Sequence, residues 1–241
     1  MRKLIFFASL LLISSFAKAQ SEYDDLLELI VDEKYEKCLI KALGYTEKDE
    51  TKKHPLPYLY MSMAFFKIHQ SDDPKLAERY PNAFKESLKY AVKYRKKDKE
   101  SEYYGEYLDY FSELRKATIE DAELQDDNEK YTRSKGQYKY LTDIDPNDAG
   151  AWLMKGYTEW KLKSNKDAGI SWEQAKTILT EVGCDGLQEE QLYLLKKALI
   201  LTAEMKIEEG DRSSAKEWME LGKDKFGEDK EFMVTYREIV G

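Results

Sequence analysis

The sequence predicts an all-α protein built as a stack of helical hairpins, and three observations carry that expectation. Apolar residues recur at three- and four-residue spacing through most of the chain, while strand-like alternation is scarce. Only five prolines and twelve glycines interrupt 241 residues. A 36% share of charged side chains beside 42% apolar ones suits amphipathic helices with one strongly solvated face.

The first residues read as a leader. Met1-Arg2-Lys3 is basic, Leu4 to Ile13 is almost wholly apolar, and Ala17-Lys18-Ala19 supplies an A-x-A end. A membrane span needs roughly 20 apolar residues, more than this run holds. A secretory signal peptide over 1–19 is therefore expected, with cleavage after Ala19. No Cys sits beside that junction to carry a lipid. Residues 20–241 would form a single repeat domain of 222 residues, periplasmic or secreted, with no transmembrane segment. Losing Arg2, Lys3 and Lys18 takes the formal net charge from −8 to −11, which argues against nucleic acid and anionic lipid as partners. Cys38 and Cys184 lie 146 positions apart and are expected to remain separate thiols.

The elements follow in order. Residues 21–31 show a short helical face of Tyr23, Leu26, Leu27, Leu29 and Ile30. A second stripe runs through Tyr35, Cys38, Leu39, Ala42 and Leu43, ended by Gly44 and the polar run 46–53. Tyr58 to Ile68 is a strongly apolar helix, after which Ser71-Asp72-Asp73-Pro74 reads as a turn or the start of a short helix. Ala83–Tyr94 turns Phe84, Leu88, Ala91 and Val92 inward, and 95–100 is a charged link. A long helix is expected over 101–117, with the acidic run 120–129 at the following turn. The next helix passes Tyr131, Tyr138 and Leu141 and stops at Asp145-Pro146, because the residue before proline disfavours helix. Helices over 149–162, 167–180, 188–208, 213–223 and 229–240 complete a count of about eleven.

A repeat underlies these helices. Residues at offsets 0, 3, 7 and 10 recur as Tyr35, Cys38, Ala42, Tyr45, then as Tyr131, Ser134, Tyr138, Leu141. They recur again as Asn165, Ala168, Trp172, Ala175 and as Arg212, Ala215, Met219, Gly222, with Ser87, Ala91 and Tyr94 a partial copy. The offset-3 residue is small in every case. In the clearest unit, 145–178, Trp152 precedes Gly156 by four residues and Ala168 follows twelve later. Small residues there would let two helices cross closely while Trp152 and Trp172 fill the flanks. This spacing resembles the tetratricopeptide repeat (TPR), and Tyr58, Met61, Ser62, Ala64 and Phe65 are similar to that family's first helix. Position 159, usually aromatic in the family, is Glu, with Trp160 beside it. The hairpins at 57–97 and 100–144 exceed the family's 34-residue unit by roughly a dozen residues. The resemblance implies an αα-hairpin superhelix (a TPR-like solenoid) of about five hairpins plus a C-terminal capping helix. It also implies a concave groove lined by first helices, with Leu153, Tyr157, Trp160, Met63 and Phe66 facing it. Leu153 and Tyr157 do not fit the family's carboxylate-clamp subtype.

No catalytic constellation is legible. His54 and His69 lack ligand-spaced neighbours and read as solvated or capping residues, not zinc ligands. Asp143, Asp145 and Asn147 open like a calcium loop, but Asp148 stands where Gly is required and Met154 where Glu is. Gly-rich phosphate loops and Gly-x-Ser-x-Gly are absent. The expectation is a non-enzymatic exported scaffold, with no cofactor or metal, that binds another protein or peptide through its groove. The alternatives are a constitutive accessory subunit of a bacterial envelope complex and, last, an enzyme of unrecognised type.

Overall fold

A computed structural model describes residues 23–241, so the expected signal peptide over 1–19 lies outside the described residues. Among them there are twelve α-helices and one 3-10 turn, with no strand. The chain divides into two compact units, the first ending at Tyr107 and the second starting at Leu108.

In the first unit α1 (Asp24–Val31) pairs with α2 (Tyr35–Glu47), and α3 (Leu56–Gln70) packs on both and on α5 (Ala83–Lys97). The short α4 (Pro74–Arg79) occupies the α3–α5 link, settling the Ser71–Pro74 stretch as a helix start. Asp73 caps it by accepting the Lys75 N–H at 2.9 Å, with Pro74 at the first position, where its missing N–H costs nothing. The core joins Leu26, Cys38, Ala42, Met61, Ala64 and Ile68. Gly44 does not end α2. Tyr45 continues the packing, its hydroxyl donating to Asp25 at 2.9 Å and its ring edge-on to Tyr23 at 5.1 Å. That contact outweighs the roughly 1 kcal/mol a mid-helix glycine costs.

The second unit holds α6 (Leu108–Asp127), α7 (Tyr131–Ile144), α8 (Ala149–Lys161), α9 (Asn165–Glu181), α10 (Glu189–Glu208), α11 (Arg212–Phe226) and α12 (Lys230–Val240). Successive helices pack on each other from α6 to α9 and from α10 to α12, and α10 also lies against α8 and reaches α6. Helix α6 departs from expectation at both ends. A 3-10 turn over Tyr104–Tyr107 precedes it, and it runs on through most of the acidic stretch. Ile119 and Ala122 extend its buried stripe, and Lys197 of α10 neutralises Glu123 at 2.8 Å.

The two units share one local device. In α1/α2, α6/α7, α8/α9 and α10/α11 the link places Glu33, Glu129, Lys163 and Gly210 in the left-handed region, with φ of 58°, 56°, 61° and 80°. Each lies two residues before the offset-0 position of the sequence repeat. The following N–H donates back across five residues: Lys34 to Leu29 O, Lys130 to Gln125 O, Ser164 to Glu159 O and Asp211 to Lys206 O, all at 2.8–2.9 Å. The left-handed residue itself donates back across three, which completes a Schellman closure four times over. The small column is buried throughout: Cys38, Ser87, Ser134, Ala168 and Ala215 are all at 0% exposure. Five hairpins (α1/α2, α3/α5, α6/α7, α8/α9 and α10/α11) and the terminal helix α12 account for every α-helix but α4.

Candidate functional site

The first helix of the best-formed repeat, α8, shows why only part of the predicted groove is accessible. Gly150 lies against α10: a Cβ on it would stand 2.7 Å from the Leu195 backbone nitrogen. Leu153 is one turn further on the same face and is fully buried. Phe66 of α3 is buried too, with its ring 6.4 Å from that of Phe84 on α5. These two residues serve packing, a correction to the groove predicted for them. Met63 stays half-buried.

Gly156 meets the other side of α8. A Cβ there would stand 2.4 Å from Trp172 Nε1, so the indole of α9 sits directly over the glycine. Glu159 is 4% exposed and accepts from Ser171 Oγ at 2.7 Å. Lys155 pairs with it at 3.0 Å and donates to the same hydroxyl at 2.8 Å. Ser171 is fully buried and its hydroxyl is spent on Glu159, so this trio holds α8 to α9 and presents no nucleophile to solvent.

Tyr157 and Trp160 are partly buried against the core at the C-terminal end of α8, each keeping some exposed surface. Their ring centroids are 6.2 Å apart. Trp160 Nε1 donates to Glu209 Oε1 at 2.7 Å, which fixes the indole against the end of α10. Burial, then the negative charges of Asp126, Glu208 and Glu204, push the Tyr157 phenol above its ordinary range. Two residues that sequence reasoning did not assign to the groove complete the cluster. Lys161 places its ammonium over the rings of Tyr131, Tyr157 and Trp160. Tyr131 had a visible role as the offset-0 residue of a second helix, and only the α7–α8 packing brings it to α8.

A cleft of about 640 Å³ lies between α6 and α10, lined by Ser112, Lys116, Ile119, Glu120, Glu123 and Tyr193. Beside it Arg115, 4% exposed, meets Asp145 at 3.1 Å, Asp148 at 3.2 Å and Glu190 at 3.4 Å. Burial raises the Asp148 carboxyl although Arg115 works against that rise. Asp148 also caps α8 through the Ala151 N–H at 3.0 Å, and Gln191 donates to Asp145 at 3.1 Å. The calcium-like opening thus has its carboxylates engaged: Asp145 by Arg115 and Gln191, Asp143 by Lys139 at 2.5 Å. In the first unit His54 lies between Tyr23 and Tyr103, and its Nδ1 accepts the Leu56 N–H at 3.3 Å. His69 stacks on Phe84 at 4.8 Å. Both thiols are free. Among the described residues no cluster of His, Cys, Asp and Glu could hold a metal ion, and no helix is long and apolar enough to cross a membrane.

No family model matches the chain, and comparison with the curated proteins and with the solved structures returns no match. The fold by itself defines the class: an all-α helical-repeat protein.

Proposed function

We propose that this chain is an exported TPR-like scaffold that binds a segment of another protein through the Tyr157–Trp160 surface. One observation carries the reading. Two large aromatics, partly buried against the core and partly open to solvent, stand at the end of a first helix, one of them held in place by Glu209. A preset indole supplies contact area with little ordering cost, and such aromatics dominate interface energies. The repeated hairpin closure and the small-residue column support the TPR-like assignment. The basic, apolar and A-x-A segments of residues 1–19 support export, so protein recovered from the envelope should begin at Gln20.

The test is capture from envelope extract with wild-type protein and a Tyr157→Ala/Trp160→Ala variant that melts within a few degrees of it. Each anchor truncation should cost at least about 1.4 kcal/mol of binding, so the double variant should retain the partner at least tenfold more weakly. Equal recovery on both proteins would overturn the reading.

A further inference from the structure

The Tyr131–Tyr157–Trp160 cluster differs from an ordinary exposed aromatic pair in what sits on it. The Lys161 ammonium lies 5.9 Å from the Tyr131 ring centroid, 5.3 Å from that of Tyr157 and 5.1 Å from that of Trp160. All three distances fall within the range where the negative face of a ring attracts a cation. The rings come from two helices, Tyr131 at the start of α7 and the others at the end of α8. Lys161 has no ion pair among the described residues, so the rings, and not a carboxylate, give its ammonium a place.

The surroundings favour positive charge as well. Helix α8 ends at Lys161 and α10 ends one residue before Glu209, the partner of Trp160. The carbonyl ends of two helices, each carrying partial negative charge, therefore converge on the rings. Glu209 is fixed beside the indole, and the carboxylates of Asp126, Glu208 and Glu204 act on Tyr157 against the opposing cation Lys197. Lys206 bonds Glu209 at 2.8 Å and is thereby occupied at the far side of that carboxylate.

We infer that Tyr131, Tyr157 and Trp160 form a cation-accepting aromatic cage for a basic side chain of the bound segment, with Lys161 as its intramolecular stand-in. The inference rests on the groove reading and specifies its ligand: a peptide presenting a lysine-type ammonium at the end of α8. A partner's cation enters as Lys161 swings into solvent, which its position at the helix end permits. While Lys161 occupies the rings, the cage is open in only a fraction of molecules, and apparent affinity is lowered by that fraction.

Tetramethylammonium chloride serves as the probe, because it carries the charge without a peptide's other contacts. The readout is the Trp160 indole N–H resonance of the full chain, identified by its loss in Trp160→Phe. In wild type the resonance should shift saturably with tetramethylammonium and not with sodium chloride at equal ionic strength. In Lys161→Ala the half-point should fall about two- to fivefold, the occupancy a surface cation–π contact sustains. Tyr157→Leu in the Lys161→Ala background should raise it again. A resonance that responds equally to both salts, or half-points unchanged by Lys161→Ala, would overturn the cage. The two readings fail separately. If the cage fails while capture from envelope extract still depends on Tyr157 and Trp160, the groove reading stands alone. If the ammonium binds and no partner is captured, the groove reading falls and the cage remains.

Discussion

Hairpins α8/α9 and α3/α5 solve the same packing problem by different means. In α8/α9 the helices are joined by a tight Schellman link at Lys163 and cross where Trp172 covers Gly156. In α3/α5 that link is replaced by a stretch containing α4, and the crossing is marked by Ser62 Oγ donating to Ser87 O at 2.6 Å, both residues fully buried. The small-residue column is common to both, with Ala168 in one and Ser87 in the other. The comparison teaches that the column sets the helix crossing and the turn is an accessory to it. A hairpin can exchange its turn for an inserted helix and keep the same close approach.

That view can be broken most sharply at the column. Ala168→Leu and Ser87→Leu should each lower stability by about 3 kcal/mol, the upper range for overpacking a filled site, measured by urea unfolding. A neutral result in either hairpin would mean the column does not set the crossing there. Gly156→Ala should cost about 2 kcal/mol, because the Trp172 indole has to move to admit the methyl group. Ser62→Ala tests the other hairpin and should cost about 1 kcal/mol, the worth of one buried hydrogen bond. The smallest effect belongs to the turn. Lys163→Gly should raise stability by about 0.5–1 kcal/mol by relieving a left-handed non-glycine residue, and Gly210→Ala should lower it by a similar amount. A turn effect larger than the column effect would invert the ranking.

Much of the fold was legible because the repeat is written in residue size. Cys38, Ser134, Ala168 and Ala215 could be aligned by offset alone, and all are fully buried. The close α8/α9 crossing was legible from Gly156 and Ala168, but Trp172, expected on its flank, sits directly over Gly156. What escaped the sequence depends on neighbours far along the chain. The acidic run in α6 reads as a turn until Lys197, some seventy residues later, supplies the opposing charge. Leu153 reads as groove-facing until Gly150 brings the α10 backbone over that side of α8. Lys161 carries no signal in the sequence, because Tyr131, thirty residues earlier, comes beside it only through the packing of α7 on α8. Residue size is a local signal, whereas exposure is decided by the next hairpin.

The glycine beneath Trp172 has one more consequence, which is optical. The indole is 9% exposed, its N–H has no hydrogen-bond partner, and Lys206 stands 4.6 Å from its ring. Its emission should therefore be set by the α8/α9 crossing and a nearby cation. Trp160, twelve residues earlier and only partly buried, lies on the surface proposed to meet a partner. Of the three tryptophans in this hairpin, Trp152, Trp160 and Trp172, the last thus reports the hairpin's own closure and Trp160 reports what lands on it.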